Sequence, residues 1–206
     1  MINHLENSFK NAETNISKIT QEIIDMEGMS GIKTRHLYNN LVDFKDSRYL
    51  EIGAYKGSSF CAALCDNSIK AVCIDNWSQF GGPKEEFTVN LDKFKGNNDV
   101  TIIEEDCFKI DTSKLGKFNI YMYDGNHTQE AHYNSLMHFY PCMEEEFIFI
   151  VDDWNWQHVR RGVNDAIGDL NLKVIYEKII FTSLDNSTNP DSDWWNGCVV
   201  FILKKP

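Results

Sequence analysis

The chain has 206 residues and a formal net charge of −11, from 31 acidic and 20 basic residues. A chain of this length can close one sizeable core, so we expect a single domain over residues 1–206. The negative charge argues against a nucleic-acid partner, because a polyanion would be repelled. The chain has no apolar run long enough to cross a bilayer and no secretory signal, which predicts a cytoplasmic protein without a membrane partner.

The N-terminal part has the spacing of helices. Apolar residues recur at helical intervals over residues 7–26, and a second helical stretch runs from about residue 34 to residue 42. The glycine-containing segment 27–31 separates them. We interpret residues 1–46 as a helical cap, in which residues 29–31 would fold over a ligand as a lid, and residues 47–206 as a catalytic α/β core.

A glycine turn follows the first predicted strand, residues 49–52. The strand ends at Gly53, and Gly57 precedes Ser58 and Ser59, which we expect to cap a helix running to residue 64. Glycine permits positive φ or close approach of a ligand to the backbone. This strand, turn and helix predict a loop that binds a nucleotide-like ligand.

The remainder of the chain alternates between strands and helices. Strands are predicted over residues 71–74, 100–103, 118–123, 147–151, 173–182 and 197–203, and helices over residues 84–94, 129–139 and 159–170. This alternation predicts right-handed crossovers and a doubly wound, mostly parallel sheet of about seven strands with helices on both faces. The last two strands have no helix between them, so we expect a hairpin that makes the last strand antiparallel.

Acidic residues follow four of the first five strands. They are Asp75, Asp106, Asp124, Asp152 and Asp153. In an open α/β sheet the carboxyl ends of the strands share one edge, where ligands bind. Each aspartate alone could be a helix cap or turn former, whereas their joint placement indicates a site. Glu51, inside a strand otherwise fit for burial, needs a partner such as a ligand cation or hydroxyl.

Three classes of protein fit this pattern. An NAD-dependent oxidoreductase would show G-x-G-x-x-G, but Gly53 and Gly57 are separated by three residues without a middle glycine. A non-catalytic nucleotide-binding module would not need the acidic residues after the fourth and fifth strands.

The third class is carried by a set of motifs. The chain resembles the class I S-adenosylmethionine-dependent methyltransferases in four places. These are Glu-Ile-Gly-Ala-Tyr-Lys-Gly-Ser-Ser at 51–59, Asp75, Asp-Gly-Asn-His at 124–127 and Val-Asp-Asp at 151–153. More narrowly, it resembles the macrocin-type O-methyltransferases of sugars and small molecules. The resemblance covers residues 49–170 and the terminal strand pair.

The resemblance implies a cofactor site. Glu51 and the turn, with Gly53, Tyr55, Gly57, Ser58 and Ser59, would hold the methionine end of S-adenosylmethionine. Asp75 would accept hydrogen bonds from the ribose hydroxyls, with Trp77 beside it, and Asp106 and Cys107 would lie at the adenine. Asp124 would complete the cofactor site. Trp77 could equally be a packing residue.

A second group of residues indicates chemistry. Asp124 and the pair Asp152 and Asp153 end neighbouring strands, about 4.8 Å apart, where carboxylates raise one another's pKa unless a cation compensates. An oxygen-rich site suits Mg²⁺ or Mn²⁺, which would bind two neighbouring hydroxyls of an acceptor. In the resembled family these positions are metal ligands and the histidine is the proposed general base, a role that His127 would take. The alternatives are that the two aspartates cap a helix and that His127 packs in a loop.

Two tryptophan pairs lie near the same predicted edge, at 154 and 156 and at 194 and 195. Aromatic faces of this kind line small-molecule pockets or mark a homo-oligomer surface, and the sequence does not separate these.

The function expected is methyl transfer to a hydroxyl of a sugar- or diol-like acceptor, with the metal-independent reaction as the nearest alternative.

Overall fold

A seven-stranded mixed sheet forms the centre of the protein. The computed structural model describes residues 1–183 and 193–206. Its strands are β1 (Arg48–Ile52), β2 (Lys70–Ile74), β3 (Asp99–Ile103), β4 (Phe118–Tyr123), β5 (Met143–Asp152), β6 (Lys173–Ile180) and β7 (Cys198–Lys204). They lie in the order β3-β2-β1-β4-β5-β7-β6. The first five pair in parallel, and β7 runs antiparallel between β5 and β6. The predicted fold class is confirmed.

Seven α-helices surround the sheet in the described part of the chain. They are α1 (Ile2–Glu13), α2 (Gln21–Ile24), α3 (Ile32–Val42), α4 (Ser58–Leu64), α5 (Lys84–Phe94), α6 (Gln129–Phe139) and α7 (Gln157–Asp169). Apolar residues of α1, α3, α4 and α5 pack on one face of the sheet, and those of α6 and α7 on the other. None of the described helices is long and apolar enough to span a membrane.

The helix predicted over residues 7–26 is wrong in its extent. The chain forms α1 and the short α2 instead, with Asn15 between them at a left-handed φ of 54°. The Thr14 hydroxyl donates to the carbonyls of Lys10 and Asn11, a local bond that competes with helix continuation. Ile16, which contributed to the helical pattern, is 57% exposed.

The centre of the sheet is apolar on both faces, as expected for parallel strands covered by two helix layers. In β5 the four residues Ile148, Phe149, Ile150 and Val151 are fully buried. This strand begins at Met143, four residues before the predicted start. Its acidic first part lies at the end of the sheet, where Glu144 forms an ion pair with Arg48 at 2.8 Å.

The order of the strands places a crevice above β1. The chain leaves β1 for β2 on one side, and β4 lies on its other side. Such a reversal leaves space beyond the carboxyl ends of the strands, where ligands of α/β proteins bind. The ends of β1, β2, β4 and β5 therefore supply the site residues.

Candidate functional site

The turn after β1 is built on two glycines with positive φ. Gly53 has φ of 86° and Gly57 of 91°. A Cβ at Gly53 would lie 2.1 Å from the carbonyl oxygen of Asp124, so only glycine lets β1 and β4 end side by side here. Gly57 is the N-cap of α4, and no side chain of the described residues caps this helix. The expectation that Ser58 and Ser59 cap it is therefore wrong, since both lie inside its first turn.

The two serines bind other partners. Ser59 Oγ donates to Glu51 at 2.6 Å, and Ser58 Oγ lies 2.9 Å from Ser30 Oγ. Glu51 also accepts a hydrogen bond from Tyr49, on the same face of β1, and is fully buried. Burial raises the Glu51 pKa to about 7, against the lowering effect of these two hydrogen bonds. Glu51 thus lies beneath the turn, and its partners belong to the chain.

Asp75, at the end of β2, holds the turn from the side. Its Oδ2 accepts from the backbone N–H groups of Ala54 at 2.8 Å and Tyr55 at 3.1 Å, and its Oδ1 accepts from that of Trp77 at 2.7 Å. The Trp77 indole donates to the Tyr55 carbonyl at 2.9 Å and packs on Phe87. A carboxylate has about four acceptor sites, so Asp75 retains capacity for a ligand hydroxyl.

Asp106 and Cys107 follow β3 on the same edge. The Asp106 carboxylate accepts from the N–H of Phe108 at 3.1 Å, so it does cap a short 3₁₀ helix, Cys107–Lys109. Both residues nevertheless line the cavity described below. Burial raises the pKa of Cys107 to about 12, which leaves its sulfur a neutral thiol.

The ends of β4 and β5 bring a histidine between two carboxylates. His127 Nε2 lies 3.2 Å from Asp153 Oδ2 and 4.0 Å from Asp124 Oδ1. One ligand atom from each of the three lies within 4.8 Å of the others, a spacing at which they could hold one metal ion. Asn196, two residues before β7, donates to Asp153 Oδ1 at 2.5 Å. Two of the three predicted metal ligands, Asp124 and Asp153, thus come together. The third member of this cluster is His127 and not Asp152.

Asp152 has a different position. It is 3% exposed, it lines the cavity, and its Oδ1 has no hydrogen-bond partner among the described residues. Burial raises the pKa values of Asp124 and Asp152 well above the usual range, and repulsion among the three aspartates adds to this. Three carboxyl groups are therefore concentrated at this end of the site, where a bound cation would favour their charged forms.

His127 is surrounded by aromatic rings. It meets Trp156 edge-on, with ring centroids 5.4 Å apart, and stacks on His132 at 6.0 Å. Burial lowers the His127 pKa, against the raising effect of Asp153. His132 is fully buried, and burial lowers its pKa to about 3. The imidazole of His127 is consequently favoured in its neutral, proton-accepting form.

A cavity of about 760 Å³ joins all the predicted site residues except Glu51 and Gly57. This volume lies within the range of small-molecule sites, about 300–1,000 Å³. Each tryptophan pair divides between core and cavity. Trp156 and Trp195 line the cavity, whereas Trp154 packs on Phe201 and Trp194 on Phe9.

Sequence reasoning missed two parts of the site. Asn196 was not singled out, although β7 starts beside the end of β5, where Cys198 pairs with Asp152. The antiparallel hairpin alone would have placed it there. Arg35 was also missed. Its guanidinium binds the carbonyls of Ile23, Ile24 and Met26 and the Ser30 hydroxyl, and so anchors the segment whose Met29 and Ser30 line the cavity.

Comparison with known proteins gives one family match. Residues 50–154, about half of the chain, match the family described as a methyltransferase domain. These residues run from β1 to just beyond the end of β5. No curated protein matches the sequence significantly.

Solved structures share the fold at low sequence identity. An O-methyltransferase from Bacillus cereus in complex with S-adenosylhomocysteine is 12% identical, with a TM-score of 0.59, over 98% of this chain and 91% of that one. A candidate RNA methyltransferase from Pyrococcus horikoshii is 15% identical, with a TM-score of 0.55, over 84% and 82%. A candidate methyltransferase from Streptococcus mutans is 12% identical, with a TM-score of 0.57, over 84% and 48%, so the chain spans about half its length.

Proposed function

Because this chain belongs to the methyltransferase-domain family, we propose that it transfers a methyl group from S-adenosylmethionine to a hydroxyl of a small molecule. One observation carries the proposal. A single cavity joins the glycine turn and Asp75 to the cluster of Asp124, His127 and Asp153. A donor site and a group able to remove the acceptor proton thus share one edge of the sheet, within one chamber.

The turn fits the methyl donor. Backbone around Gly53 borders the cavity without a side chain in the way, and Tyr55, Ser58 and Ser59 line it. Asp75 retains acceptor capacity for ribose hydroxyls. Trp77 supports the turn, with Asp106 and Cys107 at the adenine end. Glu51 and Gly57 act from beneath, by fixing the turn. S-adenosylmethionine supplies the electrophilic methyl group.

The carboxylate cluster fits a divalent cation. Asp124 and Asp153 offer two oxygens within 4.8 Å of each other, and Asp152, the third predicted ligand, lies at the same strand end. Carboxylate oxygens suit Mg²⁺ or Mn²⁺, and His127 beside them is left to act as the base. When bound, such an ion would lower the pKa of an acceptor hydroxyl.

The proposed step is an in-line displacement. The acceptor oxygen forms a bond to the methyl carbon as the carbon–sulfur bond breaks, and the sulfur keeps the electron pair. His127 Nε2 takes the hydroxyl proton, and the neighbouring Asp153 stabilises the imidazolium that forms. Trp156, which meets His127 edge-on, and Trp195, which lines the same cavity, would exclude water from the reacting atoms.

In the metal-independent reaction, every residue keeps its proposed role and only the cation is absent. The distance of 3.2 Å between His127 Nε2 and Asp153 favours this reaction, because His127 already has a carboxylate partner. A small-molecule acceptor is supported over a nucleic acid by the net charge of −11, although the fold is shared with a candidate RNA methyltransferase. The macrocin-type likeness, the helical cap over residues 1–46, the cytoplasmic location and a homo-oligomeric state remain predictions from the sequence.

Ligand titration tests the proposal. Calorimetry with S-adenosylmethionine, S-adenosylhomocysteine and NAD should give binding of the two sulfur ligands only. Asp75→Asn should weaken both about tenfold, whereas Asp99→Asn, at the exposed start of β3, should not. Failure of the chain to bind either sulfur ligand would reject the proposal, and binding of NAD would revive the oxidoreductase alternative.

A further inference from the structure

The charged groups that line the candidate site are mainly acidic. Among the described residues that line the cavity, seven carry a carboxyl group: Asp75, Glu105, Asp106, Asp124, Glu130, Asp152 and Asp153. None of these described lining residues is a lysine or an arginine. Residues 184–192, which the structure does not describe, read Leu-Asp-Asn-Ser-Thr-Asn-Pro-Asp-Ser and contain no basic residue. That segment therefore cannot supply a cation, wherever it lies.

Nearby lysines do not neutralise this surface. Lys109 reaches Asp106 at 3.8 Å, but its side chain is 71% exposed and does not line the cavity. An exposed pair of this kind contributes little. Lys84 is paired with Glu104, outside the lining. The backbone amides that bind Asp75 stabilise its charge without cancelling it.

The proposed ligands do not balance the charge either. S-adenosylmethionine carries one net positive charge and a divalent ion carries two. Even with Asp124 and Asp152 protonated, five carboxylates would face three positive charges. A concave site lined by one sign of charge focuses its field into the cavity, so the remaining negative potential acts on the acceptor.

A second observation points to a ligand that donates hydrogen bonds. Asp152 lines the cavity and is 3% exposed, and its buried Oδ1 has no hydrogen-bond partner among the described residues. A buried carboxyl oxygen without a donor is costly. Trp156 and Trp195 line the same cavity, and indole faces attract ammonium groups.

We propose that the acceptor is a cationic molecule in which an ammonium group accompanies the reacting hydroxyl, such as an amine-bearing diol, and that it carries no phosphate or carboxylate. This inference rests on the proposed methyl transfer and narrows its substrate class. The carboxylates select the ammonium, the aromatic faces pack against the carbon frame, and anionic analogues are repelled.

Matched ligands test the proposal on the intact protein loaded with S-adenosylhomocysteine and Mg²⁺. One set is 3,4-dihydroxybenzylamine, 3,4-dihydroxybenzyl alcohol and 3,4-dihydroxybenzoate, and the other is glucosamine, glucose and glucuronate. In at least one set the amine should bind about tenfold more tightly than the carboxylate, with the neutral compound between them. The difference should shrink as salt is added.

A rim variant provides the matched control. Glu130 lines the cavity on the first turn of α6, whereas Glu177 lies on the edge strand β6, outside the lining. Glu130→Gln should lower the ratio of amine to neutral affinity about twofold, and Glu177→Gln should leave it unchanged. An unchanged ratio in Glu130→Gln would count against the electrostatic explanation.

Two results would overturn the inference. One is a carboxylate ligand that binds as tightly as the amine of its set. The other is the absence of binding by every compound of both sets at millimolar concentration, since an attracting cavity should retain the amines. The titration with S-adenosylhomocysteine comes first, and a chain that does not bind this ligand would reject the proposed function. If S-adenosylhomocysteine binds but the carboxylate ligands bind more tightly than the amines, only the proposed acceptor class is rejected.

Discussion

Gly53 lies against the backbone of Asp124, so closely that a Cβ at Gly53 would be 2.1 Å from the Asp124 carbonyl oxygen. The two residues end neighbouring strands, one in the glycine turn and one in the carboxylate cluster. The position of the turn relative to the cluster is therefore fixed by backbone contact, without a mobile side chain between them.

Substitution of Gly53 by alanine should be severely destabilising. The Cβ would collide with a backbone atom that cannot move aside, and a left-handed φ adds about 1 kcal/mol or more. We expect the free energy of unfolding to fall by about 4 kcal/mol, measured by urea denaturation. Gly116→Ala is the control, because Gly116 has φ of 84° with nothing within 4 Å of the added Cβ, and it should cost about 1 kcal/mol. Equal costs at the two sites would show that the contact is unimportant.

Asp153→Asn should separate metal binding from stability. Asp153 has φ of 54°, which asparagine tolerates, so the backbone should be retained. The loss of one carboxylate should weaken Mn²⁺ binding about tenfold or more, seen by electron paramagnetic resonance. In metal-free buffer the variant should be at least as stable as the wild type, because repulsion with Asp124 and Asp152 is relieved.

The matched control is Asp66→Asn, at an exposed residue with φ of 52°. It should change neither Mn²⁺ affinity nor stability. If wild-type protein binds no Mn²⁺ and EDTA leaves its activity intact, the metal-independent alternative is correct.

His127→Asn should slow turnover without affecting the donor. The loss of the general base should lower kcat by about 10²–10⁴, while the Kd of S-adenosylhomocysteine stays within twofold, because His127 lies at the acceptor end. His4→Asn, at a histidine bound to the Leu41 carbonyl, serves as the control and should leave kcat unchanged.

The Mn²⁺ affinity of His127→Asn distinguishes two roles for the imidazole. A fall of tenfold or more would indicate a metal ligand, whereas unchanged affinity with slow turnover would indicate a base. Turnover close to that of the wild type would exclude the base role.

Glu51 should make stability depend on pH in a definite direction. Its pKa is about 7 in the folded protein against 4.5 in the unfolded chain, so the folded state retains the proton at pH values where the unfolded state has lost it. This group therefore lowers stability as pH rises from about 4.5 to 7, by up to about 3 kcal/mol. Urea midpoints measured across this range would show the slope.

Glu51→Gln should remove this slope. The Tyr49 and Ser59 hydroxyls can reorient to accept from the amide, so the variant should fold. Relative to the wild type it should gain stability as pH rises from 5 to 7. A constant difference between the two proteins over that range would contradict the raised pKa of Glu51.

The sequence was most informative where local chemistry decides the structure. The bounds of α5, α6 and β4 agree with prediction, because their apolar spacing is undisturbed and α6 begins at a Thr128 cap. The alternation of strands and helices predicts that the strands run parallel. Parallel strands place their carboxyl ends, and the residues that follow them, at one edge of the sheet.

Pairings between distant segments could not be predicted in the same way. Glu51 was expected to need a ligand, yet its partners Tyr49 and Ser59 come from its own strand and the helix below. The predicted cap role of Ser58 and Ser59 failed for the same reason, since tertiary contacts to Ser30 and Glu51 took their hydroxyls. Periodicity does not report which polar groups meet across the fold.

The acidic lining has a consequence for the end of the reaction. Methyl transfer would convert a donor with one net positive charge into a neutral thioether, and the positive charge would pass to His127 as the acceptor proton, within a chamber that has seven carboxyl groups. The spent donor would then be held less tightly than the fresh one, by the attraction that the sulfonium alone enjoyed. The dissociation constant of S-adenosylhomocysteine should therefore exceed that of S-adenosylmethionine.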